Sequence, residues 1–257
     1  FKICLGRGLT NAKSRFQFDG TDFAKDTTKS SDTDMFGFIF VPYDDGQYSV
    51  TTNVARAVNL IGFDMTDYNP TDPMSMTSFF NYNTGEYIFK DVGDLDLATA
   101  FFKAEGIGSG ISPTLDDTKF FASWAMSKTH PGGDTNRMLG SSDSQTGYSY
   151  WVGLNAPCPF TQDGRIGVEW NKGSKWWRSV TYGEDRVIGS KIAARGTALE
   201  AYYTKPLTKA LHLNASYTKI NYDYSGSNMF FGDEGNPNSP LGVKEATDIK
   251  ASISYRF

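Results

Sequence analysis

The chain has 257 residues, a net charge of −4 and a mean hydropathy of −0.42. That acidity leaves no basic footprint for nucleic acid, and no run approaches the ~18 to 20 apolar residues of a membrane helix. A membrane β-barrel stays open, because each of its strands needs only about 9 to 11 residues, half of them facing lipid.

Aromatic residues make up 15% of the chain, and its 26 glycines supply turns. An all-β protein needs many such strand formers, and Tyr and Trp at this level also suit interfacial girdles. In chain order, the first extended stretch is 38–43, closed by the turn residues Asp44, Asp45 and Gly46. Residues 48–54 then alternate, with Tyr48, Val50 and Val54 on one face. A period of two places alternate side chains on opposite faces of a strand. Arg56 breaks this pattern. An Arg facing lipid at mid-depth costs about 2 to 4 kcal/mol and close to nothing at the interface, so Arg56 is expected at a rim or turned inward.

Residues 95–103 and 120–128 are further strand candidates. Just before the first of them, Asp91, Asp94 and Asp96 form the densest acidic cluster, a candidate for calcium. It lacks the roughly twelve-residue loop and terminal Glu of a calcium hand, and reads as a solvated turn. Gly106, Gly108 and Gly110 lack the spacing and setting of a dinucleotide loop and read as a flexible connection. His130 precedes Pro-Gly-Gly and reads as a loop residue, while His212 falls on the polar face of a strand. Two distant histidines make no metal site, and no metal or cofactor is expected.

Tyr148, Tyr150, Val152 and Leu154 share one face of the next strand. Ile166, Val168 and Trp170 share a face opposite Arg165, Glu169 and Asn171. Leu199, Ala201 and Tyr203 then alternate with Glu200, Tyr202 and Thr204. After Lys205-Pro-Leu-Thr-Lys209, Leu211, Leu213, Ala215 and Tyr217 alternate with His212, Asn214, Ser216 and Thr218. Two alternating runs around a short turn make a β-hairpin. Ile220, Tyr222 and Tyr224 continue on the opposite phase, which predicts a bulge near Lys219 or exit from the membrane. In the last segment Ile249, Ala251, Ile253, Tyr255 and Phe257 occupy one face and Lys250, Ser252, Ser254 and Arg256 the other.

Segments 19–34, 64–83, 129–146 and 224–245 are long and rich in Gly, Asp, Asn, Ser and Pro, whereas 205–209 is short. Short turns on one side and long polar loops on the other are the asymmetry of outer-membrane barrels. The expected fold is a single domain over 1–257, an antiparallel transmembrane β-barrel of about ten to fourteen strands with long polar extracellular loops. If the apolar sets face lipid, then Arg165, Glu169, Glu200, His212, Asn214, Lys250, Ser252 and Arg256 line the lumen. At about eight strands such residues would pair across a plugged interior; at twelve or more they would line a wetted pore. Cys4 and Cys158 are either one disulfide or two unrelated thiols, and their spacing does not decide between these. No Gly-x-Ser-x-Gly elbow marks an enzyme.

The C-terminal strand and the 202–217 hairpin resemble porin-type barrels. More narrowly, Tyr150-Trp-Val-Gly-Leu-Asn155, the strand 164–169, the stretch 176–185, Gly189-Ser-Lys191 and Lys205-Pro-Leu-Thr208 resemble a porin-like family of unknown function from Gram-negative proteobacteria. The likeness is strongest over 147–257. Its motifs are scaffold and turn residues, so it implies no catalytic residue. It implies a bacterial outer-membrane location among lipid and lipopolysaccharide, with the closing strand, Ile249 to Phe257, read by the barrel-assembly machinery. Members of that family are longer than this chain, which implies part of a larger barrel, because an open sheet edge is not tolerated in hydrocarbon.

These expectations converge on a non-enzymatic, porin-like channel for passive diffusion of small hydrophilic solutes or ions, with homo-oligomers open. A rival is a secreted β-sandwich that binds glycans through exposed aromatics such as Trp176 and Trp177. A third reading is a barrel that sheathes or anchors a partner such as a cytochrome.

Overall fold

The computed structural model describes residues 1–8, 32–64, 80–81, 86–87, 89–133, 138–180, 188–224 and 243–255. Among the described residues the chain is all-β apart from one short helix and a 3-10 turn. Its strands are β1 (Lys2–Gly8), β2 (Thr33–Asp44), β3 (Tyr48–Phe63), β4 (Phe80–Asn81), β5 (Glu86–Tyr87) and β6 (Phe89–Glu105). They continue as β7 (Lys119–Pro131), β8 (Thr146–Pro157), β9 (Arg165–Gly173), β10 (Gly196–Pro206), β11 (Leu211–Tyr222) and β12 (Glu245–Tyr255). Ten of these form one antiparallel sheet in the order β1-β2-β3-β6-β7-β8-β9-β10-β11-β12, and β4 and β5 pair separately. The expected strand number holds, but the expected closure does not. Among the described residues β1 pairs only with β2 and β12 only with β11, so the sheet they form is not closed into a barrel.

Neighbours in the sheet are neighbours in sequence, so successive connections fall at alternate ends. At one end lie 45–47, 106–118, 158–164 and 207–210; at the other lie 9–32, 64–88, 132–145, 174–195 and 223–244. The short turns are tied locally. Asp45 Oδ1 accepts from the backbone N–H groups of Gln47 and Tyr48 at 2.9 and 2.6 Å. Thr208 Oγ1 accepts from those of Ala210 and Leu211 at 3.2 and 3.0 Å. The glycines near 106–110 are not a loose connection. The side-chain amide of Gln47 donates to Gly106 O at 2.9 Å and Gly108 O at 3.1 Å, and the helix α1 (Pro113–Asp116) follows, capped by Ser112.

Register is continuous from Leu211↔Tyr255 to Asn221↔Glu245, so the bulge expected near Lys219 is absent. The faces exchange chemistry instead. Lys219 stands on the apolar side and pairs with Glu245 at 3.1 Å, while Ile220 turns to the polar side and is wholly buried with Ala194 and Ala198. The register does shift between Phe40 and Tyr43, around Pro42, which has no N–H to give the ladder. It shifts again between Ala57 and Ile61, where Asn59 adopts a left-handed φ of 57° and its N–H donates to Asp94 Oδ1.

Cross-strand pairing assigns every side chain to a face. One face carries Leu5, Phe36, Val54, Trp124, Tyr150, Val168, Leu199, Tyr217 and Ile249 and is bare. Val168 is 51% exposed, Leu199 47% and Ile249 80%. The other face carries Ser127, Ser149, Asn171, Glu200 and Thr218, all buried. The largest fully buried side chains are those of Arg178 and Arg195. Burial is inverted relative to a water-soluble domain, where large apolar groups go inside.

Removing a well-covered aliphatic of this polar side tests the assignment. Ile220→Ala should cost about 2 to 4 kcal/mol in unfolding free energy, as for a buried Ile truncated in place. Denaturant unfolding that leaves the variant within error of the parent would contradict its burial.

Candidate functional site

The buried polar face is covered by the connection between β9 and β10, described at 174–180 and 188–195. Its start is fixed by reciprocal bonds, Ser174 N–H to Tyr148 O and Tyr148 N–H to Ser174 Oγ, both 2.9 Å. Arg178 N–H donates to Ser127 Oγ at 2.9 Å, which brings the segment across β7 and β8. The Trp177 indole N–H donates to Ile192 O at 2.8 Å, joining the outgoing and returning limbs. On the return, Arg195 O accepts from the N–H groups of Asp223 and Tyr224, and Tyr222 Oη donates to Ile188 O at 3.2 Å.

The wall beneath is made of small residues for a reason. A Cβ on Gly147 would lie 2.1 Å from the carbonyl carbon of Trp176, and one on Gly173 would lie 2.1 Å from Ala194 O. Any side chain at either position would lift the segment. On β8 the polar side is small at Gly147, Ser149 and Gly153, with Trp151 as the large exception that reaches Glu169, whereas Tyr148, Tyr150, Val152 and Leu154 face out.

Lys191 begins the 3-10 turn Lys191–Ala193. Its ammonium bonds Glu169 Oε2 at 2.7 Å and also Glu200 Oε2. It lies 5.7 Å from the Trp151 ring centroid, and the Trp151 indole N–H donates to Glu169 Oε2 at 3.0 Å. Glu169 and Glu200 are direct cross-strand partners, an arrangement that like charges disfavour without a bridging cation. Lys191 is that bridge. Burial acts against its ammonium, but the hydrogen bonds it donates to Glu169 and Glu200, with their charge, outweigh burial and raise its pKa above the usual lysine value.

Seven of the expected lumen residues share this face. One register row runs Lys103, Phe121, Gly153, Glu169, Glu200, Thr218, Asp248. The next, toward the short turns, runs Glu105, Lys119, Asn155, Gly167, Tyr202, Ser216, Lys250. Arg165, Thr204, Asn214 and Ser252 form a third, and His212 stands opposite Ser254 beyond it. The Arg165 guanidinium donates to Asn155 Oδ1 and O and to Asp117 O. Glu200, Tyr202, Thr204, Asn214, Lys250 and Ser252 border a polar cavity of about 230 Å³. Ile249, Ala251, Ile253 and Tyr255 lie on the bare face of β12, while Arg256 and Phe257 fall outside the described residues.

Several sequence expectations change here. Arg56 does not turn inward. It stands on the bare face between Phe36 and Asp96, bonded to Asp94 at 2.8 Å and Asp96 at 3.4 Å. The stretch from Asp91 to Asp96 is strand rather than turn, and two of its carboxylates serve Arg56. His130 belongs to β7 and bonds Asp96 at 2.7 Å. Among the described residues, no three His, Cys, Asp or Glu side chains are grouped to hold a metal, and no helix is long and apolar enough to cross a membrane. Cys4 and Cys158 are not joined to each other. In its turn, the Cys158 thiol has its pKa lowered by a hydrogen bond with Thr161. Trp177, offered by the glycan reading as an exposed aromatic, is only 6% exposed.

The model of a family described as "Protein of unknown function (DUF3373)" matches residues 1–257. The chain belongs to the DUF3373 family. No protein with a curated function matches it.

The seat of the covering segment can be tested directly. Gly147→Val should displace the segment 174–180, red-shift Trp177 emission and open the segment to limited proteolysis. An unchanged spectrum and cleavage pattern would mean that the segment does not need the contact.

Proposed function

We propose that this chain forms the wall of a bacterial outer-membrane β-barrel whose polar face lines a passive channel for small hydrophilic solutes or ions. In this reading the segment 174–195 narrows the lumen, and no catalytic step is involved. The observation that carries it is the shape of the bare apolar face. A monomeric soluble protein rarely leaves more than a few hundred Å² of contiguous apolar surface uncovered. Here it runs from Ile3 and Leu5 on β1 to Ile253 and Tyr255 on β12.

That face has an upper border of charge, and the border is oblique. Arg7 pairs in register with Asp34 and thence Val58, two residues nearer the long connections than Arg56. Arg56 lies level with Asp96 and Lys128. Lys172 lies level with Tyr150 and Trp124, four residues below Lys128. Lys219 lies level with Leu199 and Trp170, two below Lys172. The border therefore descends eight residues over the eight strand-to-strand intervals from β1 to β11, one residue per strand. At about 3.3 Å per residue and about 4.8 Å between strands, strands meeting a flat plane along this line tilt by about 35°, the range found in barrels.

Height agrees as well. On β8 the bare-face run from Tyr148 to Ala156 spans about 26 Å, or about 22 Å across a plane met at that tilt, against an apolar belt of about 25 Å in outer-membrane barrels. Trp124, Tyr148 and Tyr150 lie just beneath the charged border, where an aromatic girdle belongs. The glycan-binding sandwich would need a second sheet across this face. Among the described residues, the only other sheet is the two-stranded one of β4 and β5. In a bilayer both edges, β1 and β12, must be paired, since unpaired backbone groups are not tolerated there.

Substitutions at two depths separate the readings. Val168→Arg, in the middle of the band, should weaken membrane folding by about 2 to 4 kcal/mol, and Lys219→Arg, at its border, by close to nothing. Folding titrations in lipid vesicles read both. Equal effects at the two positions, or a parent protein that is soluble and monomeric without detergent, would end the membrane reading. Conductance steps in planar bilayers are the expected sign of the channel itself.

A further inference from the structure

The chain is acidic overall, but the charge that its described strand residues present on the polar face is not. Glu105 is shared by two cations, Lys103 at 2.9 Å and Lys119 at 2.6 Å. Arg165 directs its described hydrogen bonds to neutral oxygens of Asn155 and Asp117. Lys250 is exposed on the same face, two residues from Asp248, the third carboxylate of the acidic row. Part of the chain's acidity sits instead in connections, at Asp45, Asp116, Asp117, Asp143 and Asp163.

The remaining acidic pair, Glu169 and Glu200, would reverse this balance if it faced the lumen undressed. It does not, because the Lys191 ammonium bonds both carboxylates. Glu200 also borders the 230 Å³ cavity with Lys250, Tyr202 and Asn214, so the charge on this pair is felt where a solute would pass. Fixed charges in a water-filled pore with low-dielectric walls concentrate counter-ions and bias permeation.

We infer that the lumen prefers small anions, such as carboxylate- or phosphate-bearing solutes, and that Lys191 tunes this preference by offsetting half the negative charge of Glu169 and Glu200. The inference rests on the channel reading above and adds the solute class and the residue that selects it. Lys191 acts as a specificity residue: it need not touch the solute, because its effect is to offset one of the pair's two negative charges.

Zero-current potentials of the full-length protein in planar bilayers under a KCl gradient test it. The parent should reverse on the chloride side. Lys191→Gln should move the reversal toward potassium, and the double variant Glu169→Gln/Glu200→Gln should move it further toward chloride. Arg165→Gln should reduce chloride preference without touching the acidic pair. Heat-modifiable migration identifies the folded protein in each case, and the glutamate and Arg165 variants carry the test where Lys191→Gln does not fold. A parent that reverses on the potassium side overturns the inference while leaving the channel reading intact. So do conducting Lys191 and glutamate variants that reverse at the parent's potential. Folded, inserted protein that never conducts overturns both.

Discussion

Register is the constraint on which the rest of this molecule hangs. Side chains alternate across a strand, so a slip of one residue in any of the ten strands would carry its whole apolar set to the polar face and its polar set outward. The ladder from β6 to β12 runs without such a slip. Because it does, Glu169 meets Glu200, Arg165 falls in line with Asn214 and Ser252, and Val168, Leu199 and Ile249 all face the other way. The bulges at Pro42 and Asn59 lie toward β2 and β3, where they bend strands without mixing the two faces.

The two faces then obey different physics. On the bare side, area and its oblique border matter, and individual contacts matter little. On the polar side, a few specific contacts matter greatly. Removing one partner of a buried ion pair leaves an uncompensated charge, at a cost of about 3 to 5 kcal/mol. Lys191 holds two such partners, so a single residue on a connecting segment secures both the electrostatics of the wall and the position of the chain that covers it. Gly147 and Gly173 supply the complementary steric condition, since the segment can reach the wall only where no side chain intervenes.

Much of this was legible in the amino-acid order. Period-two alternation identified the strands around Tyr48, Tyr148, Val168 and Leu199, and it placed Arg165, Glu169, Glu200, His212, Asn214, Lys250 and Ser252 together on one face. The hairpin between Leu199 and Tyr217 followed from two runs in phase around a short turn. What escaped was whatever depends on partners distant in sequence. Arg56 looks like a stray charge until Asp94 and Asp96 are brought beside it. Ile220 looks like a slipped register until Ala194 and Ala198 give it an apolar niche on the polar side. Lys191 could be read only as part of a turn motif, because nothing local announces that its turn folds back onto the sheet. The closure of the sheet was expected by analogy with whole barrels, and no residue in the sequence encodes it directly. One available clue was passed over: the small inward residues Gly147, Ser149 and Gly153, which make room for something lying above them.

The simple meander has a consequence for how such a wall can change in size. Every strand of the ten-stranded sheet is bonded to the strand of that sheet that follows it in the chain, and successive connections fall at alternate ends. Two consecutive strands with their turn are thus a self-contained module whose entry and exit lie at the same end and whose faces are already set. Adding or deleting one such module leaves the direction, facing and register of every remaining strand untouched. Adding a single strand would put every later long connection at the wrong end. The architecture therefore admits growth and shrinkage in steps of a hairpin, so duplication of one short stretch of gene can widen the wall without redesigning any other part of it.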